Sequence, residues 1–259
     1  VIDLIALLEA APGFEPGSAF IIHQCLQSLT ILSCYLEGPH QAPTHHAKTI
    51  GLIALPVLLG GCGDNLSHNA KDHHPTELVM LGDSLTWLPA YSSQVADTYE
   101  DGKAIVYAFG GFATGDFLPG GDVYMGGEFS MLRPRVVTIL LGTNDAIQEI
   151  TPRDFGDNLS KIVNALLEDG SGTIILVVPP PIFFLLGRAP AANLLLNHYR
   201  QEIEWLCGVP DDAIECGPDL FDVIKREHVF DGIHFNDEGG DIVAGLLLDE
   251  LDEYRSANR

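Results

Sequence analysis

Three short segments hold residue types that could carry out nucleophilic acyl chemistry: Leu81-Gly82-Asp83-Ser84-Leu85-Thr86, Gly142-Thr143-Asn144-Asp145 and Asp231-Gly232-Ile233-His234. A serine hydroxyl is a poor nucleophile until a base takes its proton, and the usual base is a histidine held in one tautomer by a carboxylate. Ser84, His234 and Asp231 provide that set, with Asp231 and His234 close enough for one loop to present both. The negative oxygen of a tetrahedral intermediate needs preorganised donors. The Ser84 backbone N–H, a glycine N–H and the Asn144 side-chain amide could supply three. Gly, Asp and Ser also make ordinary turns, and Ser often caps helices, so each segment alone has a structural explanation. All three together, two directly after strand-like runs and one before a helix-like run, point to ester hydrolysis through serine. Asp83 and Asp145 read as residues that fix their loops.

The elements needed to position these groups are visible from residue 76 onward. Residues 78–81, 104–108, 136–141 and 173–178 are short apolar runs rich in Val and Ile, the pattern of strands buried on both faces of a parallel sheet. Residues 213–216 are a short fifth strand candidate. Residues 154–168, 191–206 and 238–254 repeat apolar positions at helical spacing, as in Phe155, Leu159, Ile162, Val163 and Leu166. This alternation predicts an α/β sandwich of three layers, αβα, around a parallel sheet of about five strands. Functional loops in such sheets gather beyond the carboxyl ends of the strands. Ser84, Gly110 with Gly111, and Asn144 follow the first three strands, so all should emerge on one rim.

Composition narrows the substrate. The 259 residues hold 46% hydrophobic types, enough for a substantial core, and carry a formal charge of −23 from 36 acidic and 13 basic residues. Such an acidic chain is a poor partner for nucleic acid, whose recognition rests on basic surfaces. A small, uncharged molecule fits better. A salty habitat would also account for the acidity, as would solubility alone.

The N-terminal part has another character. Residues 50–59, Ile-Gly-Leu-Ile-Ala-Leu-Pro-Val-Leu-Leu, form an uncharged apolar run after Lys48 and before Gly60-Gly61-Cys62, the layout of an export signal. The run is too short to span a bilayer as a helix. Its end resembles the lipobox of bacterial lipoproteins, which implies acylation of Cys62, a lipid anchor and a cell-envelope location. An apolar buried segment that happens to end in Gly-Gly-Cys is the alternative. The expected organisation is a leader with signal at 1–61, a polar linker at 62–75 and a catalytic domain at 76–259.

Taken together, Gly-Asp-Ser-Leu, Gly-Thr-Asn-Asp and Asp-x-x-His resemble the GDSL or SGNH hydrolases, a group of serine esterases, lipases and thioesterases, over roughly residues 76–255. The resemblance implies a flavodoxin-like fold and hydrolysis of acyl esters through an acyl-serine, with no metal or organic cofactor. Ser84, Asp231 and His234 would be catalytic, and Ser84, Gly111 and Asn144 would form the oxyanion hole. One block departs from the pattern. The family usually places an asparagine five residues before the oxyanion glycine, and counting back from Gly111 gives Val106. Gly110 and Gly115 therefore compete with Gly111. That departure, with the lipobox, also keeps open a non-catalytic envelope lipoprotein that binds glycan or lipid.

Weaker signals complete the reading. His68, His73 and His74 with Asp72 could hold a metal, although a solvated linker explains them better. Cys207 and Cys216 could be bonded in an exported protein or remain two thiols. Trp87, Phe112, Phe117, Phe183 and Phe184 lie near strand ends, where one or two could line an acyl pocket and the rest belong to the core.

Overall fold

The computed structural model describes residues 76–88, 90–99, 103–123, 131–209 and 213–257. The leader, the linker, Cys62 and the histidines around Asp72 lie outside the described residues. The apolar runs become five strands: β1 (Leu78–Gly82), β2 (Ala104–Ala108), β3 (Val136–Leu140), β4 (Thr173–Val178) and β5 (Ile214–Asp219). All neighbours pair in parallel, in the order β2-β1-β3-β4-β5. The chain thus leaves β1 toward one edge and returns to the other side of β1. Such a reversal opens a crevice beyond the carboxyl ends of β1 and β3.

Alternation along the strands builds the layers. Val79, Leu81, Val137, Ile139, Ile174 and Leu176 join one core with helices α4 (Pro152–Glu168) and α5 (Ala189–Cys207). Leu78, Met80, Val136, Leu140, Ile175 and Val177 join the other with α2 (Ser92–Ala96) and α7 (Asp237–Ala257). The result is the αβα sandwich expected from the sequence. In α4 the Thr151 hydroxyl accepts from the Asp154 N–H at 3.2 Å and Pro152 opens the first turn. Such a cap is worth about 1 kcal/mol, whereas each fully buried aliphatic or aromatic side chain contributes about 1.5–3 kcal/mol. Phe155, Leu159, Ile162, Val163 and Leu166 are all buried, so packing holds this helix and the cap sets where it begins.

The departures from expectation sit at edges and short elements. β2 is an edge strand and is only partly covered, with Val106 40% exposed, rather than buried on both faces. β5 continues to Asp219, past the expected end at 216, with a register shift opposite Leu176 and Val178. Pro218, which has no N–H to donate, lies in that stretch. Helices α1 (Ser84–Trp87), α2, α3 (Thr143–Ile147) and α6 (Leu220–Val223) have only four or five residues each, too few to show a period. Cys207, at the end of α5, is disulfide-bonded to Cys216 in β5, with a Cα–Cα distance of 5.2 Å.

Candidate active site

The turn after β1 is built by close packing. A side chain at Gly82 would run into Thr86 Oγ1 and come within 2.9 Å of the Leu140 carbonyl oxygen, so the first residue of Gly-Asp-Ser must be glycine. Asp83 then caps α1, its Oδ1 accepting from the Leu85 N–H at 2.9 Å. This places Ser84 at the first position of α1, directly beyond β1. Thr86, fully buried, exchanges a 2.6 Å hydrogen bond with the Tyr91 hydroxyl below the turn.

Asp83 is itself completely buried, and its Oδ2 has no hydrogen-bond partner among the described residues. Burial pushes its carboxyl up to about 7, and the nearby charge of Asp145 adds to this, against the pull of the Leu85 and Asn144 backbone N–H groups. It takes no part in the Ser84–His234 contact.

The histidine arrives on a small closed loop. Val229 and Phe235 form an antiparallel bridge, and the Phe230 N–H donates to the His234 carbonyl at 3.0 Å. Inside it, Asp231 Oδ1 accepts from the Ile233 and His234 N–H groups at 2.9 and 2.8 Å, while Oδ2 lies 2.6 Å from His234 Nδ1. The loop is anchored from β4's far end, where the Phe183 N–H donates to the Gly232 carbonyl at 2.7 Å. Gly232 has φ +96°, and a Cβ there would approach Phe184 Cβ to 2.5 Å. Phe230 stacks on the imidazole at a centroid distance of 5.8 Å.

His234 Nε2 lies 3.0 Å from Ser84 Oγ. An ionised carboxylate can only accept, so the bond to Asp231 requires the proton on Nδ1 and leaves Nε2 as the acceptor for the serine hydroxyl. Partial burial pushes the Asp231 carboxyl up, but the hydrogen bonds from His234 and Ile233 outweigh it and hold it below the ordinary range. The chain Ser84–His234–Asp231 can therefore move a proton off the hydroxyl while Asp231 stays charged.

The remaining predicted groups lie on two further loops. Asn144 is in α3, directly after β3, and its Nδ2 donates to the Phe112 carbonyl at 3.0 Å. A carboxamide has two N–H groups, so one stays available. Gly110 passes beside the nucleophile, where an added Cβ would lie 3.7 Å from Ser84 Cβ and 3.6 Å from the Trp87 ring. Gly111 is exposed, takes φ +88°, and would meet nothing within 4 Å. Gly115 faces Asn158 of α4 at 3.9 Å. Val106 occupies the middle of β2.

Sequence reasoning missed the supports of this second group. Thr114 is fully buried, and its N–H and hydroxyl both donate to Asp145, while Asn158 Nδ2 donates to the Thr114 hydroxyl at 3.2 Å. These contacts span 31 and 44 residues, so no local spacing signals them. Phe230 was also overlooked, although its position beside Asp231 was a local clue. Of the five aromatic candidates, Phe117 is core, Phe112 and Phe183 pack against the two cores, and only Trp87 and Phe184 stand exposed beside the site. Among the described residues no group of three or more His, Cys, Asp or Glu side chains could hold a metal.

The sequence profile of the GDSL-like lipase/acylhydrolase family matches residues 80–242, well over half of the chain. The chain belongs to that family. Solved structures agree on the fold of this GDSL hydrolase. A lipase/acylhydrolase from Enterococcus faecalis is similar at 22% identity and a TM-score of 0.53, covering 69% of this chain and 97% of its own. A GDSL-like lipase from Bacteroides thetaiotaomicron is similar at 16% identity and a TM-score of 0.55, covering 69% and 89%. A family 3 carbohydrate esterase from Talaromyces cellulolyticus is similar at 16% identity and a TM-score of 0.53, covering 69% and 97%. No curated protein matches the sequence.

Proposed function

We propose that the protein is a serine esterase that hydrolyses short- to medium-chain acyl esters through an acyl-serine intermediate. The observation that carries this reading is the position of His234, with one nitrogen 3.0 Å from Ser84 Oγ and the other 2.6 Å from Asp231 Oδ2. His234 Nε2 takes the hydroxyl proton as Ser84 Oγ attacks the ester carbonyl. The Ser84 N–H, the free Asn144 N–H and the Gly111 N–H, with Gly110 as the competing glycine, stabilise the oxyanion. His234 then returns its proton to the departing alkoxide. Water repeats the sequence on the acyl-serine and releases the acid, so protons balance over the cycle. No step calls on a metal or cofactor.

The experiment is turnover of p-nitrophenyl butyrate by the wild type and by Ser84→Ala. The proposal requires loss of turnover in the variant, and an unchanged rate would refute the nucleophile. Fluorophosphonate labelling of Ser84 separates this reading from a binding protein without turnover. We further propose that Cys62 is acylated and tethers the protein to a bacterial cell envelope. Labelling of cells with palmitate should mark the wild type and not Cys62→Ser. No helix among the described residues is long and apolar enough to cross a membrane.

A further inference from the structure

The groups offered to the oxyanion come from three loops, and two of those loops are joined by a set of bonds that the reaction itself does not use. The segment from Gly110 to Thr114 leaves edge strand β2 with one positive-φ glycine and with both glycines exposed. No atom lies within 4 Å of where a side chain on Gly111 would begin, so no neighbour presses on that side of the glycine to set the tilt of its N–H. Fixed points exist at the loop's far end. The Phe112 carbonyl accepts from Asn144 Nδ2, and the Thr114 N–H and hydroxyl both donate to Asp145. Asn144 and Asp145 are consecutive residues of the first turn of α3, which also carries the free amide donor.

From this geometry we infer that Asp145 and Thr114 are positioning residues for the reaction: they lock the glycine donors to the helix that bears Asn144. The inference rests on the functional reading above for its consequence, and on contacts alone for its structural content. Thr114 and Asp145 are each 0% exposed, so neither meets substrate. Thr114 Oγ1 also accepts from Asn158 Nδ2, so the hydroxyl must direct its proton to Asp145, and the orientation of the pair is determined. Asn144 acquires two duties, with one N–H holding the loop and the other left for the oxyanion. Removing the Thr114 hydroxyl leaves a buried carboxylate short of a donor and frees the loop to tilt. A displacement of about 1 Å at a reacting centre is enough to cost on the order of a hundredfold.

The test compares the wild type with Thr114→Ala, Thr114→Ser and Asp145→Asn by two readouts. The first is the pair of backbone amide resonances of Gly110 and Gly111. These should shift in Thr114→Ala and Asp145→Asn and return to their wild-type positions in Thr114→Ser. The second is kcat on p-nitrophenyl butyrate per site titrated with fluorophosphonate, which discounts unfolded protein. It should fall about ten- to a hundredfold in Thr114→Ala, with KM within about twofold, and recover in Thr114→Ser. Unmoved glycine resonances, or an unchanged kcat per titrated site, in Thr114→Ala would overturn the inference. If the wild type turns over no ester, the esterase reading falls, and the glycine resonances alone decide whether the pair holds the loop.

Discussion

Two loops meet at Ser84, and they are held by opposite means. The loop from Val229 to Phe235 closes on itself: Asp231 accepts from its own neighbours Ile233 and His234, and Phe230 donates to His234. The loop from Gly110 to Thr114 has one local bond, from the Ala113 N–H to Asp116 Oδ2, and its other fixed points lie 31 and 32 residues away, at Asp145 and Asn144. The base is therefore aimed by chemistry within a few residues. The proposed oxyanion donors are aimed by how α3 seats against the segment after β2. Damage to the first loop should strike the chemical step and spare the fold. Damage to the second should reach further through the structure.

The largest expected effect tests the first half of that contrast. Asp231→Asn keeps an oxygen for the two backbone N–H groups but presents an amide that can donate to Nδ1, reversing the imidazole tautomer. Turnover of p-nitrophenyl butyrate should drop by about 10⁴-fold, as the comparable change does in a serine protease, with the melting temperature nearly unchanged. A large loss of stability would show that this loop is not self-contained. Next comes Asn144→Ala, which removes both a proposed oxyanion donor and the anchor of the Phe112 carbonyl. Its kcat should fall by about 10²–10³. Unlike Asp231→Asn, it should also raise amide exchange across residues 110–114.

Gly232→Ala attacks the point where Phe183 holds the histidine loop from outside. It forces a side chain into φ +96° and against Phe184 Cβ, so denaturant unfolding should report a loss of about 1–2 kcal/mol. The last effect concerns Asp83 and is seen only against pH. The carboxyl ionises near 3.8 when the chain is unfolded and near 7 in the folded protein, so between those values the unfolded state releases a proton that the folded state keeps. Its contribution is complete below pH 3.8 and is lost as pH rises toward 7. Asp83→Asn should flatten that decline, measured as the difference in unfolding free energy between pH 5 and pH 7. An unaltered difference would place the proton elsewhere, Asp145 being the neighbour whose burial shifts it the same way.

The same contrast explains what the amino-acid sequence revealed. Asp-x-x-His could be read because the three-residue separation is itself the geometry: Asp231 reaches both the His234 N–H and its ring. The three buried strands, β1, β3 and β4, were legible because a parallel sheet covered on both faces needs continuous Val and Ile. β2 was misjudged on burial, since edge position is decided by strand order, which no single run encodes. Thr114 and Asn158 were invisible, because a threonine that meets an aspartate across 31 residues looks like any other threonine until the chain is folded. Gly82 gave its identity without its reason: the need for glycine comes from Thr86 and Leu140, not from a left-handed turn.

The central claim is that His234 removes the proton from Ser84. The rate of covalent labelling by a fluorophosphonate, with the modified residue located by mass spectrometry, measures that step without any assumption about the natural ester. One adduct is expected, on Ser84, formed at least about 10²-fold more slowly in folded His234→Ala. An adduct on another residue, or equal labelling rates in the two proteins, would contradict it.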